Sequence, residues 1–233
     1  MMPPVAILAG GLGTRLGELT KSIPKALIEV NGEPFIAHQL RLLRQNGVDH
    51  VVLCVSHLGE AIRGFAGDGR AFDLRVEYSY DGPVLLGTAG AIRQAQPLLG
   101  EQFFILYGDS YLPCDYRAVA NLFQASGKSG LMTVFRNEGR WDSSNVEYSD
   151  GRILTYDKKN RTPRMEFIDY GLGMLRAEAL ARVPDGQPFD LAQLYQDLLH
   201  DDQLAAFEVK MRFYEIGSLE GIQDLSNYLA VSK

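Results

Sequence analysis

The segment Leu8-Ala9-Gly10-Gly11-Leu12-Gly13-Thr14-Arg15-Leu16, followed by Pro24-Lys25, gathers residues suited to holding a polyanion. Glycines let the backbone turn its N–H groups toward a ligand at close range, forming an anion-binding nest. Arg15 adds a forked cation and Lys25 a point charge, the set a triphosphate would need. Two other phosphate motifs fail on spacing. A dinucleotide fingerprint requires glycine where Leu16 stands, and a P-loop ending at Gly127-Lys128-Ser129 requires glycine at Leu122. A bare glycine pair would be an ordinary strand-to-helix turn; the added Thr14-Arg15 and Pro24-Lys25 favour the anion site.

Other candidates follow predicted strands. Asp109 ends the apolar run FFILYGD, where a lone carboxylate must be paired or bind a cation. Glu215 ends a second run, FYEIG. Gly87-Thr88-Ala89 opens a predicted helix, either as a start capped by Thr88 or as the lining of a pocket. The turn YDKKN offers Lys158 and Lys159. Trp141 precedes the polar stretch Asp142-Ser143-Ser144-Asn145 and reads equally as a ligand contact or a loop anchor. His38, His50, His57 and His200 share no ligand spacing, and Cys54 in VVLCVS reads as a buried thiol, so no His or Cys nucleophile stands out.

The body carrying these residues is acidic: 233 residues, 23 basic against 29 acidic, net charge −6. A nucleic-acid surface is not expected from that balance, because such affinity comes mainly from Lys and Arg on phosphates. Cys54 and Cys114 make neither a disulfide framework nor a metal knuckle. MMPPVAILAGG lacks the basic start and apolar length of a signal peptide, and no run reaches the roughly 20 apolar residues of a membrane span. A cytoplasmic protein with no membrane partner is expected, and homo-oligomerisation stays open.

Strand and helix patterns alternate through the first half. Strands are expected at 5–10, 51–56, 74–79, 103–109 and 130–135, and helices at 34–46, around Ala61-Ile62-Phe65, at 88–99 and at 115–126. Such alternation predicts right-handed βαβ units and a mostly parallel sheet covered on both faces. Between 144 and 176, NVEYS, RILTYD, MEFIDYG and LGML read as four short strands of an antiparallel insertion. Helices at 190–200 and 218–230 flank a strand at 212–216. The expected fold is a single α/β domain over 1–233, Rossmann-like, with that small insertion.

The chain resembles the sugar-1-phosphate nucleotidylyltransferases, whose G-G-x-G-T-R-L…P-K signature matches Gly10–Leu16 and Pro24-Lys25. Leu86-Gly87-Thr88-Ala89-Gly90, Tyr107-Gly108-Asp109, Asp157-Lys158, Asp169-Tyr170-Gly171 and Tyr214-Glu215-Ile216-Gly217 follow in the family's order. The resemblance implies transfer of a nucleotidyl group from a nucleoside triphosphate to a sugar 1-phosphate. Leu8, Ala9, Gly10, Gly11, Gly13, Thr14, Arg15 and Lys25 would bind the nucleotide, the loop Gly10–Arg15 and Lys25 holding its triphosphate, and Gly87, Thr88 and Ala89 would line the pocket for the base. Gly108, Asn145, Lys158, Asp169, Tyr170 and Gly171 would meet the sugar phosphate, with either Lys158 or Lys159 on its phosphate.

Asp109, with Glu215 where the family more often has aspartate, would bind Mg²⁺. Arg15, Lys25 and Asp109 would be the catalytic set. The nucleotide part would span about 1–135, the sugar part 136–217, and a C-terminal helix 218–231. Short heptose- and mannose-1-phosphate guanylyltransferases are the most similar members. A uridylyltransferase for an amino sugar, a non-catalytic nucleotide-binding homologue and, more distantly, a dinucleotide-dependent dehydrogenase remain alternatives.

Overall fold

A computed structural model describes residues 2–11, 23–56 and 58–231. The signature positions Gly13, Thr14, Arg15 and Leu16, and also His57, lie outside the described residues. Strand β1 (Val5–Leu8) leads through a 3-10 turn and a small β2–β3 ribbon (Glu29–Val30, Glu33–Pro34) into helix α1 (Phe35–Gln45). Then come β4 (His50–Val55), α2 (Gly59–Ala66), β5 (Arg75–Tyr80), α3 (Gly87–Leu99), β6 (Gln102–Tyr107), β7 (Ser110–Tyr111), α4 (Tyr116–Ser126) and β8 (Gly130–Arg136). The second half holds β9 (Val146–Ser149), β10 (Arg152–Tyr156), β11 (Phe167–Arg176), α5 (Leu191–His200), β12 (Leu204–Val209), β13 (Tyr214–Glu215) and α6 (Leu219–Val231).

The main sheet runs β5-β4-β1-β6-β11-β8-β12, with the β9–β10 hairpin set beside the first half of β11. β1 is parallel to both β4 and β6, β4 to β5, and β8 to β12. Only β11 is reversed in that row, antiparallel to β6 on one side and β8 on the other. The apolar runs of β1, β4 and β6 are continuous because both faces are covered. On one face Val5, Ile7, Val51, Leu53, Phe104 and Leu106 pack under α1, α2 and α4; on the other, Ala6, Val52, Phe103 and Ile105 pack under α3 and α5. The two faces alternate residue by residue, as the pleat requires.

Helix α1 shows how the sequence sets an element's limits. Phe35, Ile36, Leu40 and Leu43 are fully buried along one stripe. Its end is closed by Gly47 at φ +80°, with Gly47 N–H donating to Arg44 O and Val48 N–H to Leu43 O. Asp115 and Asp190 cap α4 and α5 by accepting from the N–H of Ala118 and Ala192.

Three expectations change. MEFIDYG and LGML are not separate strands of an insertion: both belong to β11, a ten-residue strand of the main sheet. A register shift between Asp169 and Gly173, with Gly171 at φ +98°, carries the chain through a local irregularity that read as a turn. The strand at 212–216 shortens to Tyr214–Glu215 and pairs with β7 in its own ribbon. β12, LAAFEV, was not anticipated; it adds to β8 at the sheet edge.

Candidate functional site

The chain leaves β1 toward β4 and β5 on one side, then crosses back through α3 to β6 on the other. In an open α/β sheet that switch of direction leaves a crevice outside the carboxyl ends of the strands. A cavity of about 290 Å³ lies there, lined by Leu8, Ala9, Gly10 and Gly11 after β1, Cys54 from β4 and Asp81 after β5. Leu85, Gly87, Thr88 and Ala91 supply its α3 side, and Lys25, Ala26, Tyr107, Gly108 and Asp109 its far wall.

A second cavity, about 510 Å³, adjoins it. Its lining shares Lys25, Tyr107 and Asp109 with the first and adds Ser110, Asp142, Ser143, Asn145, Lys158, Arg161, Ile168, Asp169, Gly171 and Glu215. Lys25 Nζ lies 2.7 Å from Asp109 Oδ2. This ion pair therefore stands where the two cavities meet.

Close backbone packing brings the β1 and β6 ends together. Gly108 N–H donates to Leu8 O at 3.0 Å, and a Cβ on Gly108 would fall 2.6 Å from that oxygen. Glycine is needed there by the neighbouring strand. Glu215 reaches the second cavity because β13 pairs antiparallel with β7, placing Glu215 opposite Ser110 and Ile216 N–H on Asp109 O at 3.0 Å.

Asn145 and Asp169 act as a unit. Asn145 Oδ1 accepts from Asp169 N–H at 2.9 Å. The Asp169 carboxylate accepts from Gly171 N–H at 3.1 Å and Tyr156 O–H at 3.2 Å, and lies 3.7 Å from Lys158 Nζ. With its side chain 6% exposed, this carboxylate is held by two hydrogen-bond donors and the Lys158 ammonium rather than mainly by water. Lys158 Nζ also sits over the rings of Tyr107, 5.4 Å from its centroid, and Tyr156. Of the two lysines, Lys158 faces the cavity; the Lys159 N–H instead closes a turn on Asp157.

Some expected site residues face elsewhere. Ala89 is fully buried against the sheet, and its N–H donates to Phe189 O. Thr88 and Ala91, three apart on α3, share the cavity side, and Ala89 is turned from it by helical spacing. Thr88 does not cap its own helix. Its hydroxyl donates to Asp190 and accepts from Leu191 N–H, tying α3 to the start of α5. Gly87, at φ +70°, is demanded by Phe189 O, 2.7 Å from where a Cβ would sit. Tyr170 packs in the core with Phe135 and Phe213. Tyr170 is 2% exposed and does not line the second cavity, although Ile168, Asp169 and Gly171 do.

Asp81 was missed in the sequence, although it follows a strand just as Asp109 does. Burial raises its pKa, partly offset by the Leu86 N–H that its carboxylate accepts. Burial, and then the Asp81 charge, push the Cys54 thiol up to about 12, so it stays protonated and unreactive. The Tyr107 hydroxyl is likewise raised by burial, then by the charges of Asp169, Asp190, Asp109 and Glu215.

Among the described residues, no group of three or more His, Cys, Asp or Glu is placed to hold a metal ion. Asp109 and Glu215 nonetheless line one cavity as oxygen donors. Such a pair fits Mg²⁺, which takes its remaining ligands from water and substrate phosphates.

Comparison with known proteins agrees with this architecture. The family model described as nucleotidyl transferase matches residues 5–223. The chain belongs to that family. A Synechocystis sp. protein named UTP–glucose-1-phosphate uridylyltransferase is 31% identical over 226 residues, covering 89% of this chain and 58% of its own length. A Xenopus laevis mannose-1-phosphate guanyltransferase beta-B is 28% identical over 217 residues, covering 91% of this chain and 60% of its own. The chain thus spans about three fifths of these relatives. The crystal structure of Yersinia pseudotuberculosis HddC complexed with GMP-PN shares the fold, with a TM-score of 0.80 at 24% identity, covering 98% of this chain and all of that one.

Proposed function

We propose that this protein joins a nucleoside triphosphate to a sugar 1-phosphate, giving a nucleoside-diphosphate sugar and pyrophosphate. The observation that carries the reading is the pair of adjoining cavities sharing Lys25, Tyr107 and Asp109. One has a glycine-rich backbone wall suited to phosphates; the other has the polar set Asn145, Asp169 and Lys158 suited to sugar hydroxyls and a phosphate. The nucleotide then occupies the part built mainly from residues 1–135, and the sugar the part from 136–217.

The acceptor phosphate is already ionised at neutral pH, so the reaction requires no general base. It requires relief of repulsion between two polyanions and in-line placement at the α-phosphorus. Lys25, with Arg15, neutralises the triphosphate, and Lys158 meets the incoming phosphate. Asp109 and Glu215 would hold Mg²⁺, which supplies charge neutralisation at the phosphates.

GTP with mannose 1-phosphate or a heptose 1-phosphate is the favoured pair. Asp81 lines the cavity beside the mouth of α3, and guanine offers its N1–H and N2–H₂ as adjacent donors to one carboxylate. Several relatives bear mannose-1-phosphate guanylyltransferase names. UTP is the second reading, favoured by the name of the 31% identical relative. No helix of the described residues is long and apolar enough to cross a membrane, and a cytoplasmic location goes with the proposed substrates. Measuring pyrophosphate release with four nucleoside triphosphates crossed against hexose, amino-sugar and heptose 1-phosphates tests the reading; the GTP row should respond.

A further inference from the structure

Trp141, the only tryptophan, stands half-exposed on the loop that supplies Asp142, Ser143 and Asn145 to the second cavity. The Arg212 guanidinium lies over two rings, 3.4 Å from the Trp141 ring centroid and 4.7 Å from that of Tyr214. Arg212 also pairs with Asp224 of α6, leaving its Nε buried with no acceptor. A buried N–H without an acceptor costs stability. What the guanidinium gains is cation–π contact with two rings at once, for which the flat, delocalised arginine head is better suited than a lysine ammonium.

The residue that follows each ring in sequence, Asp142 after Trp141 and Glu215 after Tyr214, lines the second cavity. On the Trp141 side, the fully buried Asn137 holds the loop through Asp142 O and Ser144 Oγ and receives Trp141 N–H. On the other side, Tyr214 immediately precedes Glu215 in β13, and its ring stacks on Tyr228 of α6 at 4.5 Å. Arg212 is therefore the one described side chain stacked on both the loop and β13.

The geometry points to Arg212 as a positioning residue that clamps the Trp141 loop to β13, fixing Asp142, Ser143 and Asn145 against Glu215 across the acceptor cavity. This rests on reading that cavity as the sugar-phosphate site. The clamp acts on the acceptor and leaves the nucleotide cavity, which shares none of these loop residues, unchanged.

The test compares R212A, R212K, W141A and W141F with the parent protein. With the clamp open in R212A, Trp141 emission shifts to longer wavelength and its quenching by acrylamide increases; unchanged quenching overturns the clamp. In turnover with mannose 1-phosphate and GTP, or glucose 1-phosphate and UTP, R212A, R212K and W141A should raise KM for the sugar phosphate clearly above the parent's, because the loop residues no longer hold their positions. KM for the triphosphate should hold, and W141F, which keeps a ring, should stay near the parent. Equal changes in both KM values, or W141F as impaired as W141A, would overturn the positioning role. If the parent protein is silent with both pairs, the proposed reaction fails for them, and acrylamide quenching alone decides the clamp.

Discussion

Lys25 Nζ and Asp109 Oδ2 are 2.7 Å apart at the meeting point of the two cavities. Lys25 comes from the 3-10 turn before the β2–β3 ribbon and Asp109 from just past the end of β6, so the pair joins segments 84 residues apart in sequence. Removing Asp109 leaves Lys25 without this partner and takes away one of the two carboxylates, Asp109 and Glu215, proposed to hold Mg²⁺. Asp109→Ala should lower turnover at least about 10²-fold, the usual effect of losing one transition-state electrostatic contact. Pyrophosphate release measures it, alongside a thermal melt close to the parent's; full activity with Mg²⁺ would remove Asp109 from the site.

The two neighbouring lysines differ in what they touch. Lys158 faces the cavity between Tyr107, Tyr156 and Asp169, and the Lys159 backbone closes a solvent-side turn. Loss of a charge-assisted contact costs about 1.5–3 kcal/mol, so Lys158→Ala should raise KM for the sugar phosphate roughly 10- to 100-fold. Lys159→Ala should leave it unchanged. Steady-state kinetics on both variants decides, and the reverse order would reassign the contact.

Asp81 links folding stability to pH. Its folded-state pKa is raised, first by burial, so the folded protein binds this proton more tightly than the unfolded chain does. Stability therefore falls as pH rises through the window between the unfolded and folded values, and the cost is fully present above it. Asp81→Asn keeps an acceptor for Leu86 N–H and removes the charge. It should melt higher than the parent at pH 7, with the gain vanishing below the ordinary carboxylate range. The same variant should raise KM for GTP more than for UTP; equal changes would detach Asp81 from the base.

Gly173 reports on β11, the reversed strand that brings Asp169 to the cavity. A Cβ there would lie 2.0 Å from the Tyr195 hydroxyl of α5. Gly173→Ala should cost about 1–3 kcal/mol, as overpacking does. Adding Tyr195→Phe should recover part of the loss. Denaturant unfolding of both variants checks this; no loss in the single variant would show that α5 moves aside freely.

The parallel half of the fold was legible because continuous apolar runs ending in glycine alternate with striped helices. Asp109, Lys25, Asn145, Lys158, Asp169 and Glu215 were legible because each sits at or near a strand end or in a family-like segment, and all six line one cavity. Tyr170 and Ala89 belong to the same family-like segments, yet their side chains are buried and line neither cavity. A motif marks a stretch of chain, while packing and helical spacing decide which of its residues face the ligand.

Asp81 could have been found by the same strand-end rule that found Asp109. The partnership of Arg212 with Trp141 could not, since it joins residues 71 positions apart whose contact exists only once β13 and the loop are packed. β11 hid behind Gly171, whose positive φ belongs to an irregularity inside a strand and imitates a turn in the sequence.

The most direct test of the two-cavity account is to incubate the protein with GTP, mannose 1-phosphate and Mg²⁺, then quantify pyrophosphate and nucleotide-sugar together by chromatography and mass spectrometry. GDP-mannose and pyrophosphate should form in equal amounts, and both should be lost in Asp109→Ala. Pyrophosphate released without any nucleotide-sugar, here and with the other triphosphate and sugar-phosphate pairs, would contradict it, leaving the second cavity without the acceptor role assigned to it.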